Sequence, residues 1–313
     1  MKNMFIVSST PHIKRNFSVL TQNLFMIIAL LPSVMCAIFF YGLSAFVLLA
    51  ISTACCYVFD MGFSYIVYGK YDHRDISSII TGMVLGLCMP VGIGVGYVVL
   101  GAFVSIFIAK ILFGGEGKAI LCEAALGVAL LSGLLAGFST TLCVNTVMGE
   151  AISSPLEFFA KGDYTTVPIL SLFLGYGGGL IGTTSALAAV VGGVFLCITM
   201  VYDFYIPVLS IISFVVTILI TKGAAAFIPE LFAGSFLFVS FFMLPTHSSS
   251  PTIWLSKAFY AMIFGVLAAL TRGSYIMGEA GIFLCLLLCN LLSPVLDALF
   301  GLFYRGRGIK KYE

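Results

Sequence analysis

Leu20-Thr-Gln-Asn-Leu-Phe-Met-Ile-Ile-Ala-Leu-Leu-Pro-Ser-Val-Met-Cys-Ala-Ile-Phe-Phe-Tyr41 decides the class of this protein. About 20 apolar residues in a helix cross the hydrocarbon core of a bilayer, and this run reaches that length without one charged side chain. Lys14 and Arg15 precede it, and no small-residue cleavage pattern follows, so it reads as a retained first span. The rest of the chain agrees. Of 313 residues, 61% are hydrophobic and 9% charged, whereas soluble domains carry roughly 45–50% and about 25%. Too little polar surface remains to face water. With 15 Lys and Arg against 13 Asp and Glu, the charge is also too balanced for a nucleic-acid footprint.

Outward from the first run, apolar stretches bounded by charges or by Gly, Pro and Asn give candidate spans near 20–41, 44–66, 77–98, 97–113, 119–137, 185–201, 206–221, 224–244, 257–271 and 280–300. The expected fold class is an all-α polytopic membrane protein of about ten transmembrane helices. If they alternate and both termini are cytoplasmic, only Lys161, Lys222 and Arg272 are left outside, as the excess of cytoplasmic Lys and Arg in short loops requires. The longest loop, about 139–168, then lies on the extracytoplasmic face. A glycine-rich stretch, Gly175-Tyr-Gly-Gly-Gly-Leu-Ile-Gly182, follows it and reads as re-entrant or peripheral.

A weak internal repeat supports two halves. Ile80-Thr-Gly-Met-Val-Leu-Gly-Leu-Cys-Met-Pro90 is echoed by Phe232-Ala-Gly-Ser-Phe-Leu-Phe-Val-Ser-Phe-Phe-Met-Leu-Pro245, and Cys122-Glu-Ala124 by Gly278-Glu-Ala280. Five spans followed by five more orient the halves oppositely, an arrangement whose sites lie between repeats. The expected divisions are residues 1–138 as first repeat, 139–182 as extracytoplasmic loop with the Gly-rich segment, and 183–313 as second repeat.

Soluble-enzyme signatures are missing: there is no Walker loop and no HExxH, and His12, His73 and His247 fall in loops where a solvated or capping role is expected. The nine cysteines lie mostly in apolar runs without CxxC spacing, which favours packing over metal binding. Chemistry is left to loops, glycine breaks and buried carboxylates. Glu123 and Glu279, at matching repeat positions, are candidates for an ion path or a satisfied structural network, with Asp60, Glu230 and Asp297 behind them. Thr183, Thr184 and Ser185 stand where a helix would start, as caps or ligand donors.

These residues resemble a known family. Ser8-Ser-Thr-Pro-His12, Ile80–Pro90, Ala109-Lys-Ile-Leu-Phe-Gly-Gly-Glu-Gly117, Gly178-Gly-Leu-Ile-Gly-Thr-Thr-Ser-Ala-Leu-Ala188 and Leu291-Leu-Ser-Pro-Val-Leu-Asp297 look, in order and spacing, like the RnfD subunits of Rnf electron-transport complexes and the related NqrB subunits of sodium-pumping NADH:quinone oxidoreductases. The resemblance implies a urea-transporter-like fold of two inverted five-helix repeats in a bacterial or archaeal cytoplasmic (inner) membrane. It implies a translocase subunit, not catalytic alone, in a complex that moves Na⁺ or H⁺ while electrons pass between ferredoxin and NAD. Its partners would be iron–sulfur, NADH-binding and flavin-carrying subunits, besides the lipid bilayer.

The resemblance also implies a flavoprotein: FMN joined through its phosphate to a threonine in an extracytoplasmic loop, with a second, noncovalent flavin such as riboflavin left open. Here the matching segment is Ala151-Ile-Ser-Ser-Pro-Leu156, so Ser154 takes the attachment position, with Ser153 beside it. The chain departs from the family pattern in several places. Met148, Ala151 and Ser153 replace the usual Asp, Ser/Thr and Ala, Thr183 replaces a glutamate, and Ala119-Ile-Leu-Cys-Glu-Ala124 replaces an Asn-Pro-rich segment. A plain Ser-Ser-Pro turn, with Ser154 capping a short helix, is the competing reading. At the level of the whole chain the competitors are a small-solute channel or transporter, and a structural subunit that has lost its flavin.

Overall fold

The computed structural model describes residues 19–69, 76–115, 117–134, 143–145, 150–152, 154–164, 167–272 and 279–306. In a low-dielectric solvent every backbone N–H and C=O must find a partner within the chain, and the apolar runs do so as helices. α1 (Val19–Tyr68) holds both of the first two expected spans. It is broken at Gly42, whose φ of 65° and ψ of −146° lie outside the helical region and in a range that favours glycine. α2 (Ser77–Leu87), α3 (Val95–Phe103, continued by a π-helical segment Val104–Ile111) and α4 (Glu123–Leu134) follow. Two three-residue strands, β1 (Cys143–Asn145) and β2 (Glu150–Ile152), pair antiparallel with Val144 opposite Ala151. This hairpin is the one departure from the all-helical expectation among the described residues.

The second part begins with two short helices, α5 (Pro155–Ala160) and α6 (Ile169–Leu174). Then come α7 (Ala186–Ile198), α8 (Tyr205–Thr221) and α9 (Phe227–Phe232). α10 (Phe236–Phe238, continued by a π-helical segment Val239–Met243), α11 (Trp254–Thr271) and α12 (Ala280–Gly306) complete the chain. Among the described residues three helical stretches are long and apolar enough to cross a membrane, Val19–Val67, Trp254–Thr271 and Ala280–Phe303, and five shorter apolar helices accompany them.

Two expected spans are broken. The 77–98 run stops at Leu87 and turns through Pro90 before α3, because proline lacks an N–H and drives its predecessor out of the helical region. The 224–244 run divides at Ala233 and Gly234, where Gly234 has φ 64°. Mean hydropathy averages across such breaks and does not register them.

α1 packs against α2, α3 and α7; α11 packs against α8 and α12; and α4 meets α12 across the middle. The α1–α7 crossing is tight. A Cβ on Gly192 would come within 2.2 Å of the Ala29 carbonyl oxygen. Aromatic rings fill the rest: Phe214, Phe236 and Phe264 stack with centroids 3.9 and 6.0 Å apart. Large apolar side chains such as Met35, Phe39, Leu43, Ile198 and Ile220 remain on the outside, as a lipid-facing surface requires.

The Gly-rich stretch is interior. The Gly182 N–H donates to the Leu87 carbonyl at 2.8 Å and the Ile181 N–H to that of Met89 at 3.0 Å. Thus the non-helical segment at 175–185 satisfies the backbone carbonyls that the early end of α2 leaves over.

Candidate functional site

The expected site residues fall at two separate places, and the first is built around Glu279. Ser154 directly precedes α5, with Pro155 in the first helical position. Its side chain makes no capping bond; the hydroxyl instead donates to Glu279 Oε1 at 3.0 Å, between residues far apart in sequence. Glu279, 2% exposed, also accepts from the Leu180 N–H. Three segments therefore converge on one carboxylate: the turn at Ser154, the Gly-rich block and the start of α12.

Thr184 joins this group. A Cβ placed on Gly179 would lie 3.2 Å from Glu279 Oε1 and 3.4 Å from Thr184 Cγ2, so the glycine lies directly against both. Of its neighbours, Ser185 caps α7 by accepting from the Ala188 N–H, and Thr183 donates weakly to the Leu180 carbonyl at 3.5 Å. These two serve the turn. Ser153 lies outside the described residues.

A charged side chain that the sequence placed in a loop, Arg272, acts electrostatically on Glu279. Arg272, buried after the end of α11, donates from Nη2 to the Ala233 carbonyl at 2.7 Å and sits over the Phe214 ring. Its Nη1 is 3.6 Å from Glu230 Oε2, and it interacts electrostatically with both Glu230 and Glu279. Glu230, fully buried on α9, accepts from Lys222 at the end of α8.

The second place is Glu123, the first residue of α4, which accepts from the Thr81 hydroxyl at 2.6 Å. It lines a cavity of about 350 Å³ with Asn23, Thr81, Tyr202, Thr246 and His247, which come from both parts of the chain. Nearby, Lys110 in the π-helical end of α3 forms a buried ion pair with Asp60 at 2.9 Å and donates to Ser77 at 2.8 Å. Asp297 plays a structural part, accepting from the backbone N–H groups of Thr252 and Ile253 at the start of α11. His247 pairs with the Val201 carbonyl.

The two expected ion-path glutamates are therefore apart, one facing a cavity and one sealed inside. Sequence reasoning missed Arg272, Lys222 and Lys110 as interior ion-pair partners and counted them as loop charges. The available signal was a basic residue at the end of one apolar run with a carboxylate inside a neighbouring one.

The site suits a flavin phosphate only in part. Ser154 offers the primary hydroxyl that a phosphoester needs, but in its seat the hydroxyl is buried against Glu279, and a phosphodiester there would set two anions together. The residues therefore fit the linkage only with the Ser154 turn lifted from Glu279.

Comparison with known proteins gives a consistent picture. The family model described as "NQR2, RnfD, RnfE family" matches residues 6–301. The chain is 28% identical over 297 residues to the D subunit of the Na(+)-translocating ferredoxin:NAD(+) oxidoreductase complex of Acetobacterium woodii, covering 93% of this chain and 92% of the relative. It is 27% identical to the D subunit of the proton-translocating ferredoxin:NAD(+) oxidoreductase complex of Clostridium ljungdahlii, covering 95% and 94%. The B subunit of the Na(+)-translocating NADH-quinone reductase of Ectopseudomonas mendocina is 26% identical over 75% of this chain and 63% of the relative.

Proposed function

The chain belongs to the NQR2, RnfD, RnfE family, and from that premise we propose that it is the membrane-embedded D subunit of an ion-translocating ferredoxin:NAD oxidoreductase complex of the Rnf type. The observation that carries this reading is near end-to-end similarity to two subunits with that name. The chain works as a translocase subunit and is not catalytic alone. Its partners are the iron–sulfur, NADH-binding and flavin-carrying subunits of the complex, in the cytoplasmic (inner) membrane of a bacterium or archaeon.

In this reading the helices form ten spans in two inverted halves, with a urea-transporter-like arrangement. Residues 1–138 and 183–313 are the halves, 139–182 is extracytoplasmic, and both termini are cytoplasmic. The matching placement of α2 before Pro90 and α10 before Pro245, and of Glu123 and Glu279 at the starts of α4 and α12, supports it. Glu123, on its cavity, and Glu279, sealed at the Ser154 turn, occupy opposite ends of an ion path between the halves.

Ser154 is the proposed attachment point for FMN, whose chemistry is to accept and release electrons singly or in pairs. Ser154 supplies the hydroxyl, and Glu279 holds it until the linkage is made. Riboflavin, as a second and noncovalent flavin, belongs to the same reading. The test is expression with the partner subunits and a flavin transferase, followed by in-gel fluorescence and peptide mass. An FMN-sized increment on the peptide containing Ser154, lost in Ser154→Ala, is the expected result. Absence of flavin from the wild-type chain supports a subunit that has lost it, and solute flux through the isolated chain supports the channel reading.

A further inference from the structure

The two parts of the chain place a buried base in the same way. Lys110 lies in the π-helical end of α3, the helix before the one that Glu123 opens. Arg272 follows the last residue of α11, the helix before the one that Glu279 directly precedes. Each base has a buried carboxylate from another helix beside it: Asp60 of α1 lies 2.9 Å from Lys110 Nζ, and Glu230 of α9 lies 3.6 Å from Arg272 Nη1. Both arrangements therefore combine a base, a carboxylate that pairs with it, and a glutamate at the start of the next helix. Only the first of them adjoins the cavity.

The link from Lys110 to that cavity is short. Its Nζ donates to Ser77 Oγ at 2.8 Å, and Ser77 lines the cavity. One turn further along α2, Thr81 donates to Glu123 Oε2 at 2.6 Å, with its hydroxyl 3.1 Å from the Ser77 carbonyl. Lys110, Asp60 and Glu123 all act electrostatically on Cys56. Asp60 is not among the residues that line the cavity, so the pair turns its positive end toward Glu123. Stability is a weak reason for such a pair, since apolar replacements of similar volume are often as stable, and Asp60 Oδ1 has no hydrogen-bond partner among the described residues. The seat of Lys110 is a π-helical segment, and the cavity residues Phe242 and Met243 come from the other one; such turns are rare and concentrate at functional sites.

We propose that Lys110, held by Asp60, is a positioning residue that lowers the affinity of Glu123 for the translocated cation, so that an ion entering the cavity can also leave it. This deepens the ion-translocating reading of Glu123 and rests on it. A path conducts only where binding is favourable enough for entry and weak enough for release. A carboxylate in a low-dielectric wall holds a cation tightly, and a fixed ammonium behind the same wall offsets part of that attraction. At an effective dielectric constant near 20, one unit charge within about 10 Å changes an affinity on the order of tenfold. Asp60 cancels part of this effect, which sets the size of the correction. Lys110 does not line the cavity; it acts through its charge and through the hydroxyl of Ser77.

The experiment uses the whole purified complex, as wild type, with Lys110→Met and Asp60→Leu together, and with Asp60→Asn, assembly being checked by size-exclusion chromatography. The proton serves as the probe cation. A hydrophobic carbodiimide couples to a carboxyl group in its protonated form, and peptide mass reads how far Glu123 is labelled as pH is raised. Cys56 and the other titratable side chains that line the cavity, Cys122, Tyr202 and His247, are the same in all three proteins. With the pair removed, Glu123 binds protons roughly three- to tenfold more tightly, so half-labelling moves up by about 0.5–1 pH unit. Asp60→Asn leaves the ammonium without its partner and moves half-labelling the opposite way. A pair that serves stability alone predicts no shift in the double variant and no reversal of sign, and that result overturns the proposal; so does a Glu123 that never labels. Ion movement by the same complex in liposomes tests the translocating reading separately. A wild-type complex that moves no ion defeats that reading, while the labelling still decides whether Lys110 governs Glu123.

Discussion

At the scale of single residues, the Ser154–Glu279 bond is where the chain commits itself. Removing the acceptor should release the turn. A Ser154→Cys variant, on a background lacking native cysteines, is expected to react slowly with a water-soluble maleimide, and several times faster when Glu279→Ala is added; equal rates would mean that Glu279 does not seat the turn. Lys110 and Asp60 provide a second case. Removing one partner of a buried ion pair strands the other charge, at a cost of roughly 3–5 kcal/mol, whereas replacing both groups with apolar ones is often neutral. Asp60→Leu alone should therefore lower the thermal midpoint markedly in detergent, and Asp60→Leu with Lys110→Met should regain most of it. The sequence exposed Asp60 and Glu230 as carboxylates inside apolar runs, but Lys110 and Arg272 looked like loop charges. Each stands at the end of its run, and only packing against a neighbouring helix buries it.

At the scale of elements, helix breaks position the site. α2 ends at Leu87, and the backbone of the Gly-rich block takes up the carbonyls of Leu87 and of Met89 just beyond it through Gly182 and Ile181. α1 and α7 approach so closely at Gly192 that a methyl group would meet the Ala29 carbonyl. Because the obstacle is backbone, Gly192→Ala should destabilise by about 1–3 kcal/mol, the usual cost of overpacking, and a fall in the unfolding midpoint would show it. Gly133→Ala makes a fair control, since a Cβ there meets nothing. The prolines at 90 and 245 and the glycine at 234 announce these breaks in the sequence. The hairpin of β1 and β2 is not announced, for strands this short carry no readable alternation.

For the whole molecule, orientation is the decisive prediction: with both termini cytoplasmic, a cysteine at position 161 should be labelled from outside the cell and not from within, and the reverse would sink the topology. The charge asymmetry behind it survives the burial of Lys110 and Arg272, which takes one cation from each side of the count. The amino-acid sequence by itself determined the solvent, because composition alone denies this chain a water-facing surface, and it determined helices, because lipid offers the backbone no other partner. It also singled out Glu123 and Glu279 as carboxylates in apolar runs and the Thr183–Ser185 block as the start of a helix, while Ser154 was reached only through the family resemblance. Tertiary structure decided what each of them meets. Glu123 opens onto a cavity, while Glu279 is closed in by a hydroxyl and a backbone N–H drawn from distant segments, with the Arg272 guanidinium acting on it electrostatically. Such convergence depends on where helices break and how closely they cross, and local sequence carries no record of the distances that result.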